Sequence, residues 1–168
     1  MATTGKLRSN ALNLYVNTLQ GADTFDDTVA DDTWEIVASS TSGTFSGELE
    51  TIDATSKDND GAREILVSAI SWTIQAEGLI QYDDLTNKLR SGELFTIWNN
   101  KTKIRVAWST GVDGDTYYWG DGFITSYEEA AGVNEVATYS ITIEGDGVIN
   151  SATVDTGAGA GTWNNTQD

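Results

Sequence analysis

EILVSAISWTIQAEG, residues 64–78, is the stretch that decides the fold. Ile70, Trp72, Ile74 and Ala76 alternate with Ser71, Thr73, Gln75 and Glu77, so the apolar residues recur every second position. That is the period of a strand, and the amphipathic pattern fits an antiparallel sheet covered on one face and wet on the other. Trp72 is expected as a core anchor of the dry face. Proline is absent from all 168 residues, so no strand has to accommodate a missing backbone donor.

Outward from this strand the same alternation recurs. Residues 11–19, ALNLYVNTL, set Leu12, Leu14, Val16 and Thr18 against Asn13, Tyr15 and Asn17. WEIVAS (34–39) and TFSGELETI (44–52) read as strands flanking the turn STSG, with Phe45 and Leu49 on one face. ELFTIWNN (93–100), TKIRVAWST (102–110) and TYYWGDGFITSY (116–127) continue the series. In EVATYSITIEG (135–145), Ala137, Tyr139, Ile141 and Ile143 oppose Thr138, Ser140 and Thr142. The period changes once, at QYDDLTNKLRSG (81–92), where Tyr82, Leu85 and Leu89 share a helical face. Asp83 and Asp84 in its first turn, Lys88 and Arg90 in its last, and Gly92 as C-cap complete a helix signature. So short a helix must pack Tyr82, Leu85 and Leu89 onto the sheet to persist. The expected fold is mainly β and antiparallel with one short flanking α-helix, in a single domain over 1–156. Residues 157–168 are expected to be a glycine-rich extension, flexible or ordered only against a partner.

Composition narrows the function. Twenty-six acids against nine bases give a formal charge of -17. Such a surface stays soluble and repels nucleic acid and anionic lipid. With no cysteine and no histidine, disulfides, thiol nucleophiles, His-based triads and imidazole or thiolate metal sites are excluded. The N-terminus lacks the long apolar core of a signal peptide, and no run of eighteen apolar residues occurs. The expectation is a protein made in the cytosol that does not span a membrane.

The candidate chemical sites are weak. In TIDATSKDNDGARE (51–64), Asp58 and Asp60 precede Gly61 as in a calcium loop, but the first ligand position is Ser56 and the last, normally a bidentate glutamate, is Val67. Asp26, Asp27, Asp31 and Asp32, or Asp113 and Asp115, could at most bind a hard cation weakly. The two GDG triplets, 120–122 and 145–147, match no phosphate-binding signature. Lys57, Arg63, Lys88 and Arg90 make no basic stripe. No catalytic residue, cofactor or metal is expected.

Several stretches taken together resemble the major tail protein family of long-tailed bacteriophages. ETIDATSKDNDGAREILVSAISWTIQAEG (50–78) is similar to its acidic loop and long strand, and DDLTNKLRSGE (83–93) to its helix and glycine turn. GDGFITSYEEAAGVNEVATYSITIEGDG (120–147) resembles its closing signature, with Gly122, Ile124, Thr125 and Ser126 and the strand Ala137–Gly147. The resemblance spans roughly 34–150 and leaves out 21–33 and 155–168.

It implies a β-sandwich or barrel-like body, hexameric rings that stack into a tube, and inner strands joined around a DNA-conducting lumen. It implies other tail proteins as partners, such as a terminator and a tape measure, and a place in the virion. A ring of six would carry six times -17, or -102, so acids are expected to line the channel. On the wet side of the long strand these are Glu77 with Gln75, Thr73 and Ser71, bordered by Asp53, Asp58 and Asp60. Continuous pairing between subunits is expected at the two longest strands, around Thr73 and Thr142. A related head-completion or baseplate protein remains open. So does a carbohydrate-binding sandwich that stacks sugars on Trp98, Trp108 and Trp119.

Overall fold

The computed structural model describes residues 12–17, 34–55, 62–81, 88–110, 112 and 114–154. Nine strands and one helix follow in the order β1 (Asn13–Asn17), β2 (Trp34–Val37), β3 (Ser40–Asp53), β4 (Ile65–Leu79), β5 (Lys88–Leu89), α1 (Ser91–Asn99), β6 (Ile104–Ser109), β7 (Thr116–Ala130), β8 (Thr138–Gly145) and β9 (Asn150–Thr153). They form one sheet in the order β3-β4-β8-β7-β6-β1-β2-β5, with β9 added to β7. Every pairing is antiparallel except β2 with β5. The fold is mainly β with one short helix, as expected.

The sheet bends so that its two halves cover a common core. Trp72, Ile74, Ala76, Tyr139, Ile141 and Ile143 of β4 and β8 pack with Leu14, Val16, Ile104 and Val106 of β1 and β6, and α1 adds Leu94 and Ile97. Trp72 is the anchor its parity predicts: 2% exposed, its indole N–H donates to the Gly147 carbonyl at 3.1 Å. Gly120 and Gly145 form its seat, since a Cβ at Gly120 would stand 2.6 Å from the indole and one at Gly145 would overlap it. The two GDG triplets are thus packing devices. Their aspartates hold the nearby bases: Asp121 pairs with Arg105 at 2.8 Å and Asp146 with Lys103 at 2.7 Å. Tyr139, also buried, donates its hydroxyl to the Ala38 carbonyl at 2.7 Å, and burial pushes its phenol up to about 12.

Three expectations are corrected. The described helix is Ser91–Asn99, the stretch expected as the strand 93–100, and in the described part of 81–92 Lys88–Leu89 is a strand. Leu89 is buried, but from the two-residue strand β5 rather than a helical face; Tyr82 and Leu85 lie outside the described residues. Gly92 sits in the first turn of α1, not at a C-cap, because Arg90 is the residue before the helix and its backbone N–H donates to Glu93 Oε2 at 2.8 Å. Finally, STSG is no turn. The chain turns at Ala38–Ser39, where Ser39 has φ 52°, and β3 is already extended from Ser40.

Candidate assembly surface and channel face

The face of β3-β4-β8-β7 turned away from the core is largely polar. Cross-strand register builds it in rows: Ser42, Glu77, Ser140 and Glu128 in one, and Thr44, Gln75, Thr142 and Ser126 in the next. The third row runs from Ser46 through Thr73 and Glu144 to Phe123. Ser71, Thr73, Gln75, Glu77 and Thr142 therefore share one surface, and Ser42 Oγ donates to Glu77 Oε2 at 3.1 Å. These four strands contain Glu48, Glu50, Asp53, Glu77, Asp121, Glu128, Glu129 and Glu144 and not one lysine or arginine. Asp53 lies further out, at the end of β3, where the Thr55 hydroxyl and backbone N–H hold its carboxylate below the ordinary range. Asp58 and Asp60 lie outside the described residues.

β4 outruns its neighbour. β8 pairs with it only from Thr73 to Leu79, whereas β3 continues alongside to Ile65. The outer halves of β3 and β4 thus project as a two-stranded arm. Leu49, Ile52, Ile65, Leu66, Val67 and Ile70 on it are each 50–59% exposed. Register puts Leu49 opposite Ile70, Ile52 opposite Leu66 and Val67 opposite Thr51, so both faces of the arm carry apolar side chains. A two-stranded ribbon has little stability of its own, and a contiguous exposed apolar surface of this kind marks an interface.

The expectation that chains join at Thr73 and Thr142 meets an obstacle in the ladder. Thr73 already pairs with Ser46 and Glu144, and Thr142 with Gln75 and Ser126, so both residues are interior to the sheet. Open edges lie elsewhere. Among the described residues, β3 is paired only with β4, and the segment of β7 beyond Gly122 only with β8. Beside that segment of β7 lies a half-open aromatic group: Phe95 and Trp98 of α1 with Tyr127, ring centroids 5.5–6.2 Å apart. Phe95 is 44% and Trp98 37% exposed.

The three tryptophans considered as a sugar platform do not share a face. Trp108 packs on the main core, Trp119 lies beneath the Arg105 guanidinium at 4.6 Å on the other side of β6 and β7, and Trp98 belongs to α1. Among the described residues no group of three or more acidic side chains is placed to hold a metal ion. Among the described residues no helix is long and apolar enough to cross a membrane.

The sequence profile of the phage tail tube protein family matches residues 18–151. The chain belongs to that family. It is a structural component of the virion tail, as the resemblance in 34–150 implied. No curated protein matches it at significant similarity. Its fold is similar to the tail of an empty gene transfer agent particle refined with C6 symmetry, at 17% identity and TM-score 0.65, covering 88% of this chain and 100% of that one. It is also similar to the SPP1 tail tube, at 10% identity and TM-score 0.67 over 89% and 81% of the two chains. A third is the sheath/tube terminator of an extracellular contractile injection system, at 15% identity and TM-score 0.57 over 90% and 100%.

Proposed function

We propose that this tail tube subunit closes into hexameric rings that stack, with the polar face of β3-β4-β8-β7 lining a lumen that conducts DNA. The observation that carries the reading is a base-free face bounded by two open edges of matching phase. β3, β4, β8 and β7 alternate in direction, so β3 of the next copy laid beside β7 continues the alternation, and the same step repeats around a ring. Such head-to-tail contacts close if the rotation allows, and closure removes the edges that otherwise invite aggregation. The C6 symmetry of the gene transfer agent tail favours six copies. Six times four strands is 24, and barrels of about 16–18 strands already leave a water-filled channel.

Charge suits transit. A duplex carries one charge per ~1.7 Å of axis, and a basic wall would hold it by counterion release. Glu77, Glu128 and Glu144 instead repel it from every side, over a range of about 8 Å at physiological salt. Terminator and tape-measure proteins are the natural partners at the tube's end and inside it. Electron microscopy of the concentrated protein tests the assembly: stacked rings or tubes are expected, and a monodisperse monomer at millimolar concentration overturns it.

A further inference from the structure

Which part of β3 meets β7 is determined by what its own chain already occupies. Near its start, β3 is bordered by β1: Leu12, Asn13 and Leu14 line one cleft with Ser40–Gly43, and the Trp108 ring lies against Gly43. That leaves the outer stretch, Ser46–Asp53, as the accessible edge. On β7, residues Tyr118–Gly122 are occupied by β6, which leaves Ile124–Ala130. Joining the two accessible stretches shifts the neighbour along the strands, and the shift must be even, or every side chain would change faces.

Without a shift, Tyr127 is level with Gly43, through Ile141 and Ala76. A shift of four or six residues brings Gly47 or Leu49 to that level instead. At ~3.3 Å per residue along strands and ~4.8 Å between them, four to six residues across four strands correspond to a tilt of about 35–46°. Closed barrels tilt their strands by about 35–45°. Steric access and barrel geometry therefore agree.

Face parity then decides what the arm touches. Leu49 and Ile70 share the face of Phe45, Trp72 and Ile74, and Tyr127, opposite Ile141, is on the same side of the sheet. We infer that the apolar face of one subunit's arm, carried by Leu49 and Ile70, covers the Phe95–Trp98–Tyr127 group of the next copy in the ring. The latch rests on the tube reading, and it names the partner as a second copy and the contact as arm against helix.

The test is a photo-crosslink within assembled tubes. Subunits carrying p-benzoylphenylalanine in place of Leu49, or in a second preparation Ile70, are doped at low fraction into isotopically labelled unmodified subunits and irradiated. Mass spectrometry should find light-to-heavy crosslinks to residues 94–101 or 124–130. The same probe in place of Glu50, on the opposite face, should give at least tenfold fewer. Tubes in which the Leu49 and Ile70 probes both attach elsewhere overturn the latch and leave the tube reading standing. If the unmodified protein makes no tubes, both fall.

Discussion

Replacing Leu49 and Ile70 by serine should separate folding from assembly. The two residues are 56% and 53% exposed in the subunit, so about half of each side chain's surface remains to be covered by a neighbour. Complete burial of such a side chain is worth about 1.5–3 kcal/mol. Covering the exposed half is then worth ~0.8–1.6 kcal/mol each, or ~1.6–3.2 kcal/mol for the pair at every subunit contact. At about 1.4 kcal/mol per decade, each contact weakens roughly 10- to 200-fold. The critical concentration for tube formation, read by sedimentation across a dilution series, should rise by at least that factor. Circular dichroism and the melting temperature should change little, because the subunit core is untouched. An unchanged critical concentration would refute the assignment of the arm to the interface; a collapsed melting temperature would refute the view that it contributes little to the fold.

Gly145→Ala places a methyl group within the Trp72 indole and should cost about 1–3 kcal/mol by overpacking, measured by urea denaturation. Tyr139 adds a pH dependence with a definite sign. Its pKa is about 12 in the fold against an ordinary 10.0, so its stabilising contribution is complete below pH 10 and is lost as pH rises toward 12. Denaturant midpoints across pH 9–11.5 should fall for the wild type and fall less for Tyr139→Phe. Lysine at Glu77, Glu128 and Glu144 should leave tubes intact but make them retain duplex DNA in cosedimentation, with retention lost as salt rises; no retention at low salt contradicts a lumen location. Proline at Thr73 or Thr142 should abolish folding itself, since both residues pair on two sides. A folded monomer that merely fails to assemble would contradict this.

The long strand was legible because its alternation coincides with its packing: Trp72, Ile74 and Ala76 are buried while Ser71, Gln75 and Glu77 are exposed. The helix was not. Phe95, Thr96, Ile97 and Trp98 are β-branched or aromatic and favour a strand locally, while the spacing of Leu94 and Ile97, both buried, was the helical signal within the same stretch. Tertiary burial outweighed local propensity. Leu89, expected on a helical face, reaches the core by pairing beside Val37 of β2.

The arm illustrates a different limit. Leu49, Ile65, Leu66 and Ile70 look like core residues in any reading of composition. Their exposure follows from the relative lengths of β4, fifteen residues, and β8, eight, which no local pattern announces. The same mismatch separates strand length from edge position. Length made β4 prominent, yet pairing on both sides at Thr73 makes it interior.

A cryo-electron-microscopy reconstruction of the assembled tube would show which face of the sheet lines the lumen. The expected tube is a continuous antiparallel barrel with Thr73, Gln75, Glu77, Thr142 and Glu144 facing the lumen and Trp72 and Ile74 turned into the subunit body. A tube wall in which Glu77 and Glu144 face the exterior, or whose lumen is lined by Lys101, Lys103 and Arg105, would contradict it.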